Sequence, residues 1–277
     1  MRWKDTAILL TVRKTGKKTL LIELFTESHG RQRGILQLGD KDVPPLPPGC
    51  HIDIEMARSD LTSDMPGDLT IMSVSGGVAA SSKSDVGFLV LTCIKSLLSK
   101  LLPEREPLHD LFYVTTSLID SLSMEDGLWP VEYARWEMCL LDTLGHVDGL
   151  RRCLPDFRQG ETIYISPASG KVVTRLEAGA FLDKLLPVPA FLMGSRLPGI
   201  RDVQEALRMT KLMLERLALP KAGVKELPPA RAGLIEHTNA IRELPRPAQD
   251  PLGMEETGRR RRRMSEINNP LLIGGRA

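Results

Sequence analysis

The sequence predicts an α+β protein in which a small antiparallel β-barrel precedes an α-helical domain that carries a β-hairpin insert. Three observations support this fold class. Short segments with alternating apolar and polar residues occupy positions 1–75, and a helical spacing of apolar residues replaces this alternation from Val86 onward. After Arg151, a glycine turn between two short β-prone segments interrupts the helices.

Five short segments in the first 75 residues have the composition of β-strands. The clearest alternates Ile52, Ile54 and Met56 with Asp53, Glu55 and Ala57, as a half-buried strand does. Few helix signals separate the segments, and five short consecutive strands favour a small barrel. The predicted strands are Thr6–Val12, Thr19–Thr26, Gly34–Leu38, His51–Ala57 and Leu69–Val74.

Six later segments carry apolar residues at helical spacing. In the first, Val90, Ile94 and Leu97 fall on one face, and Pro103 ends the pattern. Between two of these segments, short β-prone stretches flank a turn at Gly170, which predicts a β-hairpin near residues 151–175. The predicted helices are Val86–Leu102, Leu108–Leu122, Val131–Leu144, Leu176–Leu185, Asp202–Leu219 and Ala230–Leu244.

The change of pattern predicts the domain organisation. We expect a barrel domain over residues 1–76 and a helical domain over residues 77–244. In residues 245–277, Pro245, Pro247 and Pro251 precede five consecutive basic residues: Arg259, Arg260, Arg261, Arg262 and Arg263. Such a polar, charged segment buries too little apolar surface to fold alone, so we predict a disordered basic tail.

The net charge is small but unevenly distributed. The 277 residues include 37 Lys plus Arg and 35 Asp plus Glu, a formal charge of +2. Residues 1–33 carry eight basic and three acidic side chains, a charge of +5, whereas residues 34–75 carry two and seven, a charge of −5. Residues 221–277 carry eleven and seven, a charge of +4. The basic ends favour an anionic partner.

The length of the apolar runs and the spacing of the cysteines predict the cellular compartment of the protein. No apolar run approaches the roughly 20 residues that a membrane span needs, and the N-terminus has no secretory signal. The cysteines Cys50, Cys93, Cys139 and Cys153 are widely spaced, which is typical of reduced thiols. We therefore expect a cytoplasmic protein without a membrane partner.

Common catalytic motifs are missing from the sequence. It has no Gly-rich phosphate loop with a following Lys, no G-x-S-x-G and no H-E-x-x-H. Cys139, His146 and Cys153 stand seven residues apart, with Asp142 nearby, and all are possible zinc ligands. Structural zinc usually needs closer ligand pairs, so buried thiols and a surface histidine are the favoured interpretation. We predict no catalytic residue, no cofactor and no metal.

Basic residues in the predicted barrel form a candidate DNA-binding set. A hairpin around Thr15 and Gly16 brings four of them together at its tip, where they can contact a phosphate backbone. A solvated turn is the alternative interpretation. The first 75 residues contain only two of the chain's Trp, Tyr and Phe residues, Trp3 and Phe25, which favours backbone contacts over base stacking. The candidate residues are Arg13, Lys14, Lys17, Lys18, Arg31 and Arg33.

Several motifs resemble those of the bacterial recombination mediator family RecO. They extend over about residues 1–220 and are most similar to the alphaproteobacterial branch. The motifs are Trp3-x-Asp5, Phe25-Thr26-x-x-His29-Gly30-Arg31-x-x-Gly34, Leu46-x-Pro48-Gly49, Leu102-Pro103-Glu104-Arg105-Glu106-Pro107, Tyr133-x-Arg135-Trp136-Glu137-x-x-Leu140-Leu141-x-x-Leu144-Gly145 and Tyr164-x-Ser166-Pro167-x-x-Gly170-Lys171-x-Val173.

The resemblance implies an oligonucleotide-binding (OB) barrel, a location at the nucleoid and no enzymatic turnover. It implies binding and annealing of single- and double-stranded DNA, and cooperation with RecR to load RecA onto strands coated by single-stranded-DNA-binding protein (SSB). It also implies a helical-domain site for the acidic C-terminal tail of SSB. Arg135 matches a family arginine and is our candidate for the carboxylates of that tail.

The sequence departs from the family pattern at three places. Asp40 and Asp42 occupy a region where relatives have a basic loop, and only Cys153 remains of four zinc-binding cysteines. The tail with Arg259–Arg263 lies outside the family core. The acidic replacement keeps a second function class open, a non-enzymatic protein–protein adaptor with a degenerate barrel and weak or no DNA binding.

Overall fold

A computed structural model describes residues 1–39, 46–58, 64–75, 85–122, 127–150, 160–193 and 198–245. The chain divides into two compact units, Met1–Glu125 and Asp126–Ala277. The first contains a five-stranded barrel and two helices, and the second contains helices around a small sheet. This arrangement confirms the predicted α+β class.

Five strands form the closed barrel, in the order β1–β2–β3–β5–β4, with β4 pairing back onto β1. All neighbouring pairs are antiparallel except β3 with β5. Alternation places one face of each strand inside, where Leu9, Leu24, Ile54 and Met56 pack in one apolar cluster. The strands are β1 (Arg2–Lys14), β2 (Thr19–Thr26), β3 (Gly30–Gln37), β4 (His51–Ala57) and β5 (Gly67–Ser75).

Two helices complete the first unit: α1 (Asp85–Leu101) and α2 (His109–Ser121). Phe25, on the outer face of β2, meets the edge of the Phe112 ring of α2 with the ring centroids 5.6 Å apart. None of the surface of Phe25 is exposed. Its partner is a helix rather than the barrel interior.

The segment between α1 and α2 runs along β3. Glu104 pairs with Arg31 in a parallel bridge, and the Arg105 amide donates to the Arg31 carbonyl oxygen over 2.9 Å. Gly30 has a φ of +66°, and a Cβ built there would lie 1.9 Å from the Glu106 carbonyl oxygen. Residues 102–106 therefore pack so closely against β3 that the first residue of this strand must be glycine.

The second unit combines helices with a three-stranded sheet in the order β7–β6–β8. Strands β6 (Ile163–Ile165) and β7 (Val172–Thr174) confirm the predicted hairpin, and β8 (Leu186–Pro187) adds a third strand. The helices are α3 (Trp129–Thr143), α4 (Arg175–Ala178), α5 (Ile200–Met213), α6 (Leu219–Lys221) and α7 (Pro229–Ala240). Short 3₁₀ helices span Gly179–Lys184 and Ala190–Met193.

A buried ion pair joins three helices of the second unit. Arg231 of α7 donates from Nε and Nη2 to the two carboxylate oxygens of Glu137 of α3, over 2.7 and 2.8 Å. The Thr210 hydroxyl of α5 donates to the same carboxylate. The Arg231 side chain is 4% exposed and that of Glu137 is fully buried. This paired geometry satisfies two charges that would be costly to bury alone.

Three predicted helices differ from the structure. The predicted helix Ala230–Leu244 ends at Ala240, because the backbone becomes extended at Ile241. The predicted helix Leu176–Leu185 is wrong beyond Ala178, because Gly179 has a φ of +49° and the chain continues as a 3₁₀ helix. The predicted helix Asp202–Leu219 is α-helical to Met213 and then widens into a π-helical turn over Leu214–Ala218.

The predicted division into a barrel domain, residues 1–76, and a helical domain, residues 77–244, stays a prediction. The last barrel strand ends at Ser75 and the next helix begins at Asp85, close to the predicted boundary at residue 76. The compact units divide fifty residues later, between Glu125 and Asp126, because α1 and α2 pack with the barrel. The predicted tail beyond residue 245 lies outside the described residues.

Candidate nucleic-acid interface

The β1–β2 hairpin places four of the candidate basic residues at its tip. Strand β1 ends at Lys14 and β2 begins at Thr19, and the Thr15 amide donates to the Thr19 carbonyl oxygen over 3.0 Å to close the turn. All residues from Arg13 to Lys18 are exposed. The basic side chains of this hairpin tip are those of Arg13, Lys14, Lys17 and Lys18.

The other two candidates, Arg31 and Arg33, lie on β3 in contact with carboxylates. Arg31 Nη1 is 2.9 Å from Glu23 Oε1, and the two side chains are only 14% and 16% exposed. Arg33 Nε is 2.8 Å from Glu104 Oε1, and its side chain is 36% exposed. These carboxylates neutralise much of the positive charge that the sequence places on β3.

Glu23 also binds a helix of the same unit. Its Oε2 accepts a hydrogen bond from the Ser99 hydroxyl of α1 over 2.9 Å, while Oε1 contacts Arg31. Arg31 Nε in turn donates to the Leu102 carbonyl oxygen over 3.2 Å. Arg31 therefore ties β2, β3 and the end of α1 together.

Sequence reasoning missed Arg58, which follows β4. It is the next member of the inward series Ile52, Ile54 and Met56, and it is only 7% exposed. That continued alternation was the signal that could have identified a buried arginine. Arg58 Nη2 donates to the Arg33 carbonyl oxygen over 3.4 Å, so its side chain reaches across from β4 to β3.

An aromatic stack covers one end of the barrel. The Trp3 and His29 rings lie nearly parallel, at 11°, with centroids 3.8 Å apart. His29 Nδ1 is 2.7 Å from Asp5 Oδ2, and this carboxylate also accepts from the Ser28 amide over 3.0 Å. The motif Trp3-x-Asp5 therefore fixes the β2–β3 turn at His29.

Comparison with known proteins decides the family. Residues 1–62 match the family described as Recombination protein O N terminal, and residues 88–223 match the family described as Recombination protein O C terminal. The chain belongs to the RecO family. The resemblance inferred from the motifs is confirmed, and the N-terminal barrel is consistent with the OB fold of this family.

Individual RecO relatives match nearly their whole length. The DNA repair protein RecO of Ruegeria sp. (strain TM1040) is 33% identical over 238 residues, covering 85% of this chain and 98% of the relative. The DNA repair protein RecO of Roseobacter denitrificans is 34% identical with the same coverage. That of Jannaschia sp. (strain CCS1) is 35% identical and is covered to 96%. A role in DNA repair and recombination follows from this family membership.

Arg135, the RecO candidate for the SSB tail, lies on α3 in the second unit. Its Nη1 is 3.0 Å from Glu132 Oε1, one turn earlier, and its side chain is 26% exposed. The guanidinium carbon lies 5.9 Å from the centroid of the Phe191 ring. Because Phe191 is only 2% exposed, the guanidinium of Arg135, and not this ring, is the group that the carboxylates of a ligand can reach.

The possible zinc ligands are only partly described. Cys139 Sγ lies 4.0 Å from the Thr143 hydroxyl, and His146 Nδ1 lies 3.5 Å from Lys221 Nζ. His146 is 6% exposed, so the predicted surface histidine is wrong, because the chain buries it beside Lys221. No group of three metal-binding side chains occurs in the described ranges, and Cys153 lies outside them.

Arg259–Arg263 and the acidic replacement Asp40–Asp42 lie outside the described residues. Within the described part of this RecO family member, every helix is too short or too polar to cross a membrane.

Proposed function

We propose that this RecO family member binds single- and double-stranded DNA through the hairpin tip and anneals complementary strands. It acts with RecR and SSB to load RecA during recombinational repair. Annealing requires a protein that neutralises two phosphate backbones, which otherwise repel each other. The basic hairpin tip supplies this charge on a rigid barrel.

The observation that carries the proposal is the contrast between two basic groups in the barrel. Arg31 and Arg33 contact Glu23 and Glu104, whereas Arg13, Lys14 and Lys17 have no ion pair in the described part of the chain. Exposed cations without a protein carboxylate keep their full attraction for phosphate. The hairpin tip is therefore the main phosphate contact, and Arg33, which is partly exposed, extends it.

Salt-dependent binding of oligonucleotides tests the site. Each lost phosphate contact flattens the log–log dependence of affinity on salt by about 0.7 for single strands and about 0.9 for duplex DNA. We expect the double substitution Lys17→Ala and Lys18→Ala to flatten the single-strand slope by about 1.4. The control Lys95→Ala with Lys100→Ala removes two exposed lysines from α1 of the same unit. Equal slopes for both pairs would show that DNA binds elsewhere.

Annealing of complementary strands, with and without SSB, tests the activity. We expect the wild-type chain to accelerate annealing and the Lys17→Ala, Lys18→Ala protein to do so less at the same salt concentration. An adaptor function makes a different prediction. A wild-type chain that captures RecR or SSB but shows no DNA binding at low salt would refute the annealing function and select the adaptor.

A second experiment tests the SSB site at Arg135. We expect Arg135→Ala to weaken binding of a peptide that carries the acidic C-terminal sequence of SSB, because it removes a cation beside Phe191. The control Arg208→Ala removes an exposed arginine from α5 of the same unit. Unchanged peptide affinity in the Arg135 variant would exclude this residue from the site.

A further inference from the structure

Arg58 is a buried arginine whose guanidinium is largely without partners. The residue is 7% exposed, and its Nε and Nη1 atoms are buried without a hydrogen-bond partner among the described residues. The one side-chain hydrogen bond that it makes within the described part of the chain, from Nη2 to the Arg33 carbonyl oxygen, is long at 3.4 Å. Arginine stays protonated in proteins, so this site keeps a full positive charge.

The surroundings of Arg58 add further positive charge. Burial lowers the pKa of Arg58, and the positive charge of Arg105 lowers it further. The carboxylate of Glu104 partly opposes this shift, and Arg33 adds a smaller lowering. Glu104 is already 2.8 Å from Arg33 Nε and 3.6 Å from Arg31 Nη1. Glu104 is thus committed to Arg31 and Arg33, and no contact joins its carboxylate to Arg58 among the described residues.

The other nearby carboxylate, Asp64, does not neutralise Arg58 either. Its side chain is 99% exposed and its Oδ1 lies 3.8 Å from Arg105 Nη2. Arg33 Nη2 donates to the Asp64 backbone carbonyl oxygen over 3.2 Å, which fixes the chain before β5 without supplying a charge. Burial of an arginine beside two others is unfavourable unless an anion pairs with it.

We propose that Arg58, together with Arg33 and Arg105, forms a binding site for one phosphate group. The site lies where β3, β4 and β5 meet, and Arg58 Cγ packs so closely on Gly67 that a Cβ there would lie 2.9 Å from it. Guanidiniums bind phosphate oxygens through paired N–H groups, and several donors suit a tetrahedral oxyanion. The side chains of Arg33 and Arg105, 36% and 26% exposed, provide the approach from solvent.

Two sources can supply this phosphate: the nucleic-acid backbone and free inorganic phosphate. The first source rests on the proposed DNA-binding function and places a strand from the hairpin tip along β3. The second does not depend on DNA binding. Phosphate from either source binds only if the guanidinium of Arg58 donates to it, so the experiment begins with inorganic phosphate alone.

Thermal unfolding of the full chain in phosphate and in chloride, at equal ionic strength, tests the site. We expect a few millimolar phosphate to raise the wild-type Tm by about 3 °C, because a ligand bound only by the folded state stabilises it. Arg58→Met should abolish this shift without lowering the Tm in chloride, since it removes a buried charge that pairs with no carboxylate among the described residues. Arg2→Met, which removes an exposed arginine of the same barrel, should keep the phosphate shift.

Other outcomes overturn the proposal. If Arg58→Met lowers the Tm in chloride and keeps the phosphate shift, the protein itself satisfies Arg58 and no anion site exists. Should that variant fail to fold, calorimetric titration of phosphate into the wild-type chain tests the site instead. Absence of saturable binding to one site refutes the proposal.

Oligonucleotide binding by the same variants identifies the source. A single-strand salt slope flattened by about 0.7 in Arg58→Met indicates a backbone phosphate in the site. An unchanged slope together with lost phosphate binding indicates free phosphate. The Lys17→Ala, Lys18→Ala protein separates the two proposals, because its failure to alter DNA binding contradicts the hairpin-tip site and leaves the phosphate result standing.

Discussion

Gly34 of β3 lies directly opposite Gly67 of β5 in the short parallel ladder that joins these strands. A Cβ at Gly34 would lie 2.8 Å from Leu69 Cβ, and one at Gly67 would lie 2.6 Å from Met56 Sδ. Neither glycine has a positive φ, so close approach rather than backbone conformation requires them. The barrel closes here because neither residue has a side chain.

Gly34→Ala should therefore destabilise the barrel. We expect the free energy of unfolding to fall by about 1–3 kcal/mol, because the added methyl group must displace Leu69 from the core. Urea denaturation measures this change. Gly16→Ala is the control, since its nearest neighbour, Thr19 Oγ1, would lie at an ordinary 3.4 Å, and its effect should stay within about 0.5 kcal/mol. Equal effects at both glycines would contradict the close-approach explanation.

Arg31→Met should affect stability more than it affects DNA binding. It leaves the Glu23 carboxylate, whose side chain is 16% exposed, without its guanidinium partner. We expect a loss of about 1–3 kcal/mol in urea denaturation, while the salt slope of DNA binding changes less than in Lys17→Ala, Lys18→Ala. A larger slope change in Arg31→Met than in the double variant would make Arg31 a main phosphate contact.

Removing one partner of the buried ion pair in the second unit should lower the free energy of unfolding strongly. Arg231→Met leaves Glu137 as an unpaired buried carboxylate, and we expect a loss of about 3–5 kcal/mol in urea denaturation. Adding Glu137→Leu should recover part of that loss because both charges are then absent. Arg208→Met, at an exposed position of α5, serves as the control. A double variant less stable than Arg231→Met would contradict the charge-burial argument.

His146 should make the second unit sensitive to acid. Burial, and secondarily the charge of Lys221, lowers the pKa of His146 below its ordinary value of 6.5. The unfolded chain then binds a proton more readily than the folded chain, so stability that is complete above pH 6.5 falls as the pH decreases through the lowered pKa.

His146→Gln should flatten this loss when unfolding is measured by urea denaturation between neutral and mildly acidic pH. His237→Gln removes an exposed histidine from α7 and should leave the pH dependence unchanged. An identical pH dependence in wild type and His146→Gln would show that His146 does not cause it.

Cys50 should be unreactive in the folded chain. Burial raises the pKa of its thiol to about 11, although a backbone hydrogen bond opposes the shift, and none of its surface is exposed. The thiolate is the reactive form, so a thiol reagent at pH 8 should label Cys50 only after denaturation. Mass spectrometry of peptides from native and urea-treated protein measures the labelling. Rapid labelling of the native chain would contradict this burial.

Local pattern predicted much of the architecture. Strand composition, with period-two alternation in β2 and β4, identified all five barrel strands. Strand β4 was predicted with the bounds that it has, His51–Ala57, whereas β1 was predicted as Thr6–Val12 and extends over Arg2–Lys14. Helical spacing located α1, α2 and α3 to within two residues at each end. Strand β3 was predicted to begin at Gly34 but begins at Gly30, because pairing with β2 extends it beyond its apolar part.

The sequence by itself determined the barrel strands, the first three helices, the family, and the grouping of Arg13, Lys14, Lys17 and Lys18 at one turn, since these depend on neighbours along the chain. Only the tertiary structure decided which arginines are neutralised. Glu104 lies 71 residues from Arg33 in sequence and reaches it because residues 102–106 pack along β3. Arg58 is likewise buried beside Arg33 and Arg105 by closure of the barrel. Charge pairing depends on distances in space, and sequence pattern alone does not contain them.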